Sequence, residues 1–136
     1  NNTVTGNSSA NQLSGGVGDD TLEGKLGNDI LTGGAGKDSF NLTTSGNIDT
    51  IAGFVVVDDT IRLENAVFTK LTATGTLAAS RFKIGTQAMD ADDYIIYNNV
   101  TGALYYDSNG NGTGAAVQIA TIGVGLSLTN ADFLVI

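Results

Sequence analysis

Residues 15–41 read GGVGDDTLE, GKLGNDILT and GGAGKDSFN, three nine-residue units laid end to end. Each begins with Gly, carries Gly at the fourth place and Asp at the sixth (Asp20, Asp29, Asp38), and has a large apolar residue at the eighth (Leu22, Leu31, Phe40). A period held at four places over three units marks a repeat architecture, which has to be settled before any other pattern is read. Glycines flanking one residue let the backbone turn with positive φ and leave carbonyls free of side chains. The last three residues of each unit alternate polar, apolar, polar, which predicts a short strand with one buried side chain. Glycine carbonyls with a carboxylate, and no His or Cys, make an oxygen-only ligand set that suits Ca²⁺ and not Zn²⁺ or copper. A disordered acidic linker is the competing reading, but a linker has no use for Leu22, Leu31 and Phe40 at fixed spacing. A phosphate loop at Gly36-Lys37 is excluded, because Leu31 stands at its first Gly and Asp38 follows the Lys.

The GGxGxDxUx pattern, with U a large apolar residue, resembles the nonapeptide repeat of the RTX family of secreted calcium-binding proteins. The resemblance implies a right-handed parallel β-roll with two nonapeptides per turn and ions held between loops one turn apart. It implies that Asp20 and Asp38 share one Ca²⁺, with the carbonyls of Gly16, Gly18, Gly34 and Gly36 nearby. Gly27 and Asp29 then lie on the opposite side, and Asp29 needs a partner one turn before or after it.

The composition narrows the function classes. Among 136 residues, 14 are acidic and 6 basic, a net charge of −8. Nucleic-acid binding needs a basic footprint and is excluded; cation binding fits, since the clustered carboxylates repel one another without it. With no His and no Cys there are no disulfides, no thiolate chemistry, no Ser–His–Asp triad and no His-ligated metal. Paired carboxylates occur without a nucleophile–base set, so an enzyme is not expected. There is no Pro, where average usage would give about seven, so refolding has no slow X–Pro step. No apolar run approaches the ~18 residues of a membrane span, and no N-terminal signal peptide is evident. The chain opens in mid-repeat, which suggests upstream domains of a longer parent protein.

Outside the three clear units the pattern erodes. Residues 6–14 (GNSSANQLS) keep Gly first, Asn11 sixth and Leu13 eighth, and Asn2 and Val4 fit a further half-unit. Asn offers a neutral carbonyl oxygen, so either Asn11 joins Asp29 in a weaker site or these units only pack and cap. So short a stack needs a cover at its end. After Leu42 the period stops, and NIDTIAGFVVVDDTIRL holds alternating runs at 49–52 and 59–63. This resembles the DxIxDFxxGxDxIxL segment that follows RTX repeats, with Gly53 and Val57 in place of an Asp and the Gly. Asp49 either closes a last calcium site with the Asp29 loop or begins a strand in solvent.

NAVFTKL and TLAASRFKI each fit a short helical turn before a strand, and Arg62, Lys70, Arg81 and Lys83 read as scattered surface charge. YIIYN and ALYYD read as strands around a turn, followed by the strand-like AAVQIATI. Between the last two, Asp107, Asn109, Asn111 and Gly112 match the opening of an EF-hand loop without its closing Glu. The alternatives are a second metal loop or a polar hairpin turn. Asp90, Asp92 and Asp93 read as a solvated strand entry. The chain ends LTNADFLVI; Asp132 before Phe133, Leu134, Val135 and Ile136 resembles the uncleaved C-terminal signal of type I secretion substrates, and otherwise reads as a last strand packed on the cap.

The expectation is an all-β chain: a short right-handed parallel β-roll over 1–41, then an antiparallel β cap over 42–136 that contains the secretion signal. The resemblance implies a secreted, extracellular, non-catalytic module that binds Ca²⁺, uses type I secretion machinery, and caps a larger protein. The alternative is an adhesin- or surface-layer-type binding module working through the cap. An exposed cluster of Tyr94, Tyr97, Tyr105 and Tyr106 would favour that alternative.

Overall fold

A computed structural model describes residues 1–112, 114 and 116–136. The first half is a coil of short strands: β1 (Thr3–Thr5), β2 (Gln12–Val17), β3 (Thr21–Glu23), β4 (Ile30–Ala35), β5 (Ser39–Leu42), β6 (Asp49–Ala52) and β7 (Thr60–Leu63). The second half adds β8 (Gly75–Thr76), β9 (Phe82–Ile84), β10 (Ile95–Tyr97), β11 (Ala103–Asp107), β12 (Ala116–Thr121) and β13 (Phe133–Val135), with 3-10 turns at Ala79–Arg81 and Asn130–Asp132. The described chain is all-β, as expected.

Odd and even strands of the coil fall in different sheets. One sheet runs β1-β3-β5-β7-β13-β8 and the other β2-β4-β6-β12-β11-β10-β9. Pairings from β1 to β7 are all parallel. Two nine-residue units therefore complete one turn, which stacks each residue on the one eighteen before it. The eighth-place side chains form columns between the sheets. Val4, Leu22, Phe40 and Ile61 are register partners in turn, and Phe133 extends the same column. Leu13, Leu31 and Ile51 make the second column. Leu22, Leu31, Phe40 and Ile61 are fully buried. Each such side chain is worth about 1.5–3 kcal/mol on leaving water, and this offsets the cost of ordering so many glycines.

The ladders do not stop where the period stops. The carboxylate that follows Asp29 is 20 residues on, at Asp49, and the one that follows Asp38 is 21 residues on, at Asp59. The full-turn spacing has thus lengthened by two and then three residues beyond eighteen, while the Asp-x-apolar strand start is kept.

The cap continues both sheets. β13 adds parallel to β7, and β12 adds parallel to β6. β10–β11 and β11–β12 are antiparallel, as is β13–β8, but β9 pairs parallel with β10. The cap is thus mixed and not purely antiparallel. The helical-turn expectation holds at Ala79–Arg81, ahead of β9; 64–71 forms hydrogen-bonded turns, with the Phe68 N–H on the Glu64 carbonyl at 2.9 Å. One apolar cluster, from Leu22 to Val135, runs through coil and cap together.

Candidate calcium loops of the roll

The sixth-place residues stand in two vertical rows, one on each edge of the roll. Within a row each carboxylate reaches back to the preceding turn. Asp38 Oδ1 accepts the Asp20 N–H at 2.9 Å, and Asp20 Oδ1 accepts the Asn2 N–H at 2.5 Å. On the other edge Asp29 Oδ1 accepts the Asn11 N–H at 2.7 Å and Asp49 Oδ1 accepts the Asp29 N–H at 3.0 Å. Asp59 Oδ1 continues the first row, on the Asp38 N–H at 3.0 Å. The turn-to-turn pairings expected for Asp20 with Asp38, Asn11 with Asp29 and Asp29 with Asp49 are all present as neighbours.

The first-place glycines are there to let these carboxylates in. A Cβ on Gly33 would collide with Asp38 Oδ2, and Gly24 and Gly15 stand in the same way against Asp29 and Asp20. Gly16, Gly18, Gly27, Gly34 and Gly36 all have positive φ, between 100° and 135°. Gly34 also lies so close to the turn below that a Cβ would strike the Gly16 carbonyl oxygen, and Gly36 meets the Gly18 carbonyl likewise. Close stacking of carbonyl-rich loops thus requires glycine for space as well as for conformation.

Asp20, Asp29 and Asp38 are each 1 % exposed, and the Oδ2 of each has no hydrogen-bond partner. A buried carboxylate oxygen without a partner is costly. These three oxygens, in loops with no nitrogen or sulfur ligand, fit a hard divalent cation with oxygen preference. Among the described residues no three acidic side chains converge on one point. A turn contributes one sixth-place carboxylate to each row, so an ion here would draw its other ligands from carbonyls.

The two carboxylates at the cap end are different. Asp49 and Asp59 have pKa values pushed above the ordinary 3.8, burial being the largest cause in both, partly opposed by the backbone N–H groups they accept. Asp59 was missed as a site residue in the sequence. Its signal was the Asp-Thr-Ile start of a strand, which copies Asp49-Thr-Ile. Fifth-place residues were also missed: Asp19 Oδ1 accepts the Lys37 N–H at 2.9 Å, and Asn28 Oδ1 accepts the Ile48 N–H at 2.9 Å. These side chains tie adjacent turns together on the outside of the loops.

The remaining candidates lie in the cap. Asp107 ends β11, and its Oδ1 accepts the Asn109 N–H at 3.0 Å, so the 107–112 stretch begins as a side-chain-stabilised turn. Asn109 and Asn111 are exposed. Asp93 is 4 % exposed and accepts the Met89 and Asp90 N–H groups, both at 2.9 Å, so it is a buried turn-former and not part of a solvated entry. Tyr97 is fully buried with its hydroxyl on the Gly123 carbonyl at 2.6 Å; Tyr94, Tyr105 and Tyr106 are half-buried. They form no exposed aromatic cluster. Asp132 caps the last 3-10 turn by accepting the Thr129 N–H, and Phe133 and Val135 are buried in β13. The terminal segment is therefore a packed strand.

The model of the RTX calcium-binding nonapeptide repeat, in four copies, matches residues 1–31 and again 14–43. Residues 1–43 thus carry the match to RTX calcium-binding repeats, about a third of the chain. The match takes in the eroded units before Gly15, which the structure shows packed in register with the others. A comparison with curated proteins finds no match. Among the described residues no helix is long and apolar enough to cross a membrane. The RTX match and the oxygen-only loops together make residues 1–43 a calcium-binding module.

Proposed function

We propose that this chain is a calcium-triggered folding module of a protein exported by type I secretion machinery. Residues 1–41 are the switch, residues 42–136 the cap, and neither part is catalytic. The observation that carries the reading is the set of buried, unpartnered carboxylate oxygens on Asp20 and Asp38 in one row and Asp29 in the other. Without a cation these groups are desolvated and uncompensated, and the glycine-rich loops gain little by ordering. With Ca²⁺ the carboxylates of Asp20, Asp29 and Asp38, the carbonyls of Gly16, Gly18, Gly27, Gly34 and Gly36 and the Asn11 side-chain oxygen supply ligands from successive turns. The ion neutralises the charge and cross-links the stack. At a Kd of ~10⁻⁴ M, common for extracellular modules, Ca²⁺ at about ten to a hundred times that level adds roughly 1.4–2.7 kcal/mol per site.

In this reading the chain stays unfolded at low cytosolic Ca²⁺ and folds outside the cell, and residues 132–136 serve as the export signal. As a packed strand, that segment is readable by a transporter only before the cap folds. With Tyr97 buried and Tyr94, Tyr105 and Tyr106 half-buried, no exposed tyrosine cluster favours a surface-binding cap over a plain one.

A Ca²⁺ titration from EDTA, followed by circular dichroism and calorimetry with Mg²⁺ as control, tests the reading. Strand signal and a melting transition are expected to grow with Ca²⁺ and not with Mg²⁺, and Asp38→Ala is expected to move the midpoint to higher Ca²⁺. A chain that neither binds Ca²⁺ nor gains melting temperature from it would sink the proposal.

A further inference from the structure

We propose that the last turn-to-turn contact in each row, closed by Asp49 and by Asp59, is an ion-free joint in which protein donors stand where the earlier loops take Ca²⁺. This rests on the calcium reading above and limits which carboxylates take part in it.

All five Asp carboxylates in the two rows use Oδ1 in the same way, on an N–H of the preceding turn. They differ in what else they meet. Asp20, Asp29 and Asp38 each keep a buried Oδ2 with no partner; Asp59 pairs that oxygen, and Asp49 takes a second donor on Oδ1 instead, beside the Asp29 N–H. Asp59 Oδ2 accepts the Val55 N–H at 2.8 Å. At Asp49 the donor is a side chain. The Asn47 amide nitrogen lies 3.2 Å from Asp49 Oδ1 and 3.3 Å from the Lys25 carbonyl oxygen of the turn below. The Thr44 hydroxyl lies 2.7 Å from that carbonyl and 2.8 Å from Asn47 Oδ1, with one proton to share between them.

Lys25 holds the second place of its unit, as Gly16 and Gly34 do in theirs. The amide therefore joins one carboxylate oxygen to one loop carbonyl of the adjacent turn, the same two kinds of oxygen a calcium ion would bridge. Its two N–H groups carry partial positive charge and point in fixed directions, so the carbonyl and the carboxylate oxygen are both satisfied without a cation. The longer loops supply the donors. Asn47 lies in the connection that spaces Asp49 by 20 residues, and Val55 in the one that spaces Asp59 by 21. The next strands in each sheet are β12 and β13. At the junction between repeats and cap the two carboxylate rows thus end in hydrogen bonds, while the apolar core continues from one to the other.

Isothermal titration calorimetry of the whole 136-residue chain with Ca²⁺ counts the ions. Asp38→Asn is expected to bind one ion fewer than wild type, and Asp49→Asn the wild-type number. Loss of an ion in Asp49→Asn, with wild type binding normally, overturns the joint and leaves the calcium reading standing. A wild-type chain that binds no Ca²⁺ overturns both. Should Asp49→Asn not fold, Asn47→Leu gives the same answer from melting temperatures across a Ca²⁺ series. The expected result is a parallel drop with an unchanged rise per tenfold Ca²⁺, since that rise counts ions released on unfolding. A flatter rise means that an ion left with the amide, and overturns the proposal.

Discussion

Among the described residues, Lys25 is the one non-glycine residue with positive φ, at 71°. The loop geometry asks for Gly at this second place, and Gly16 and Gly34 supply it in the neighbouring units. A left-handed conformation costs a residue with a Cβ about 1–2 kcal/mol, while a new glycine loosens the unfolded chain by about 0.4–1 kcal/mol. Lys25→Gly should therefore raise the unfolding free energy by ~0.5–1 kcal/mol in chemical denaturation with Ca²⁺ present. A loss of stability instead would show that the Lys side chain holds something the φ angle hides. The sixth- and eighth-place residues were legible because their chemistry is unambiguous: an acid beside glycines, a large apolar residue between polar ones. The first-place glycines were legible as glycines, but no reason for them was visible in the sequence. Their role is to admit the Asp carboxylate five residues on in the same unit, a contact that the folded-back loop makes and the linear spacing does not display. Asp93 was misread with its neighbours Asp90 and Asp92, because an Asp in an acidic group ahead of a strand looks the same whether its carboxylate faces water or two backbone N–H groups.

At the scale of the elements, the roll proved longer than its repeat. Strands β6 and β7 obey the ladder though the spacing has slipped to 20 and 21 residues, and a search by fixed period cannot follow loops that lengthen unequally. The cost of this ending shows in protonation. Burial raises the pKa of Asp49 and Asp59 above 3.8. The folded chain then holds their protons more tightly than the unfolded chain. Their contribution to stability is full below the unfolded value and is lost as pH rises through the raised folded value. In EDTA, acidification from neutral pH towards that window should raise the melting temperature or the strand signal. With Ca²⁺ saturating, the dependence should reverse, because protons compete with the cation for carboxylate ligands. Melts over a pH series in EDTA and in Ca²⁺ check this. An EDTA curve that only falls on acidification would contradict the burial argument.

At the scale of the molecule, β13 is an interior strand, paired with β7 on one side and β8 on the other. Phe133 is fully buried, in the column begun by Val4, with its ring 5.1 Å from that of Phe82. Phe133→Ala should lower the unfolding free energy by about 3–5 kcal/mol, as for other fully buried aromatics, measured by denaturant melts in Ca²⁺. A loss under ~1 kcal/mol would place the segment outside the core. The sequence offered this segment as a secretion tail or as a packed strand. It could not choose, because parallel pairing over such a distance leaves no local mark. That distance also sets an order of events. Neighbouring turns of the roll join residues 18 apart, whereas the pairing of Ile61 with Phe133 closes 72 residues. Two doublings of loop length cost roughly 1.2 kcal/mol more in closure entropy. The turns should zip quickly, one on the next, and the far strands should arrive last, onto a template that the repeats have already built.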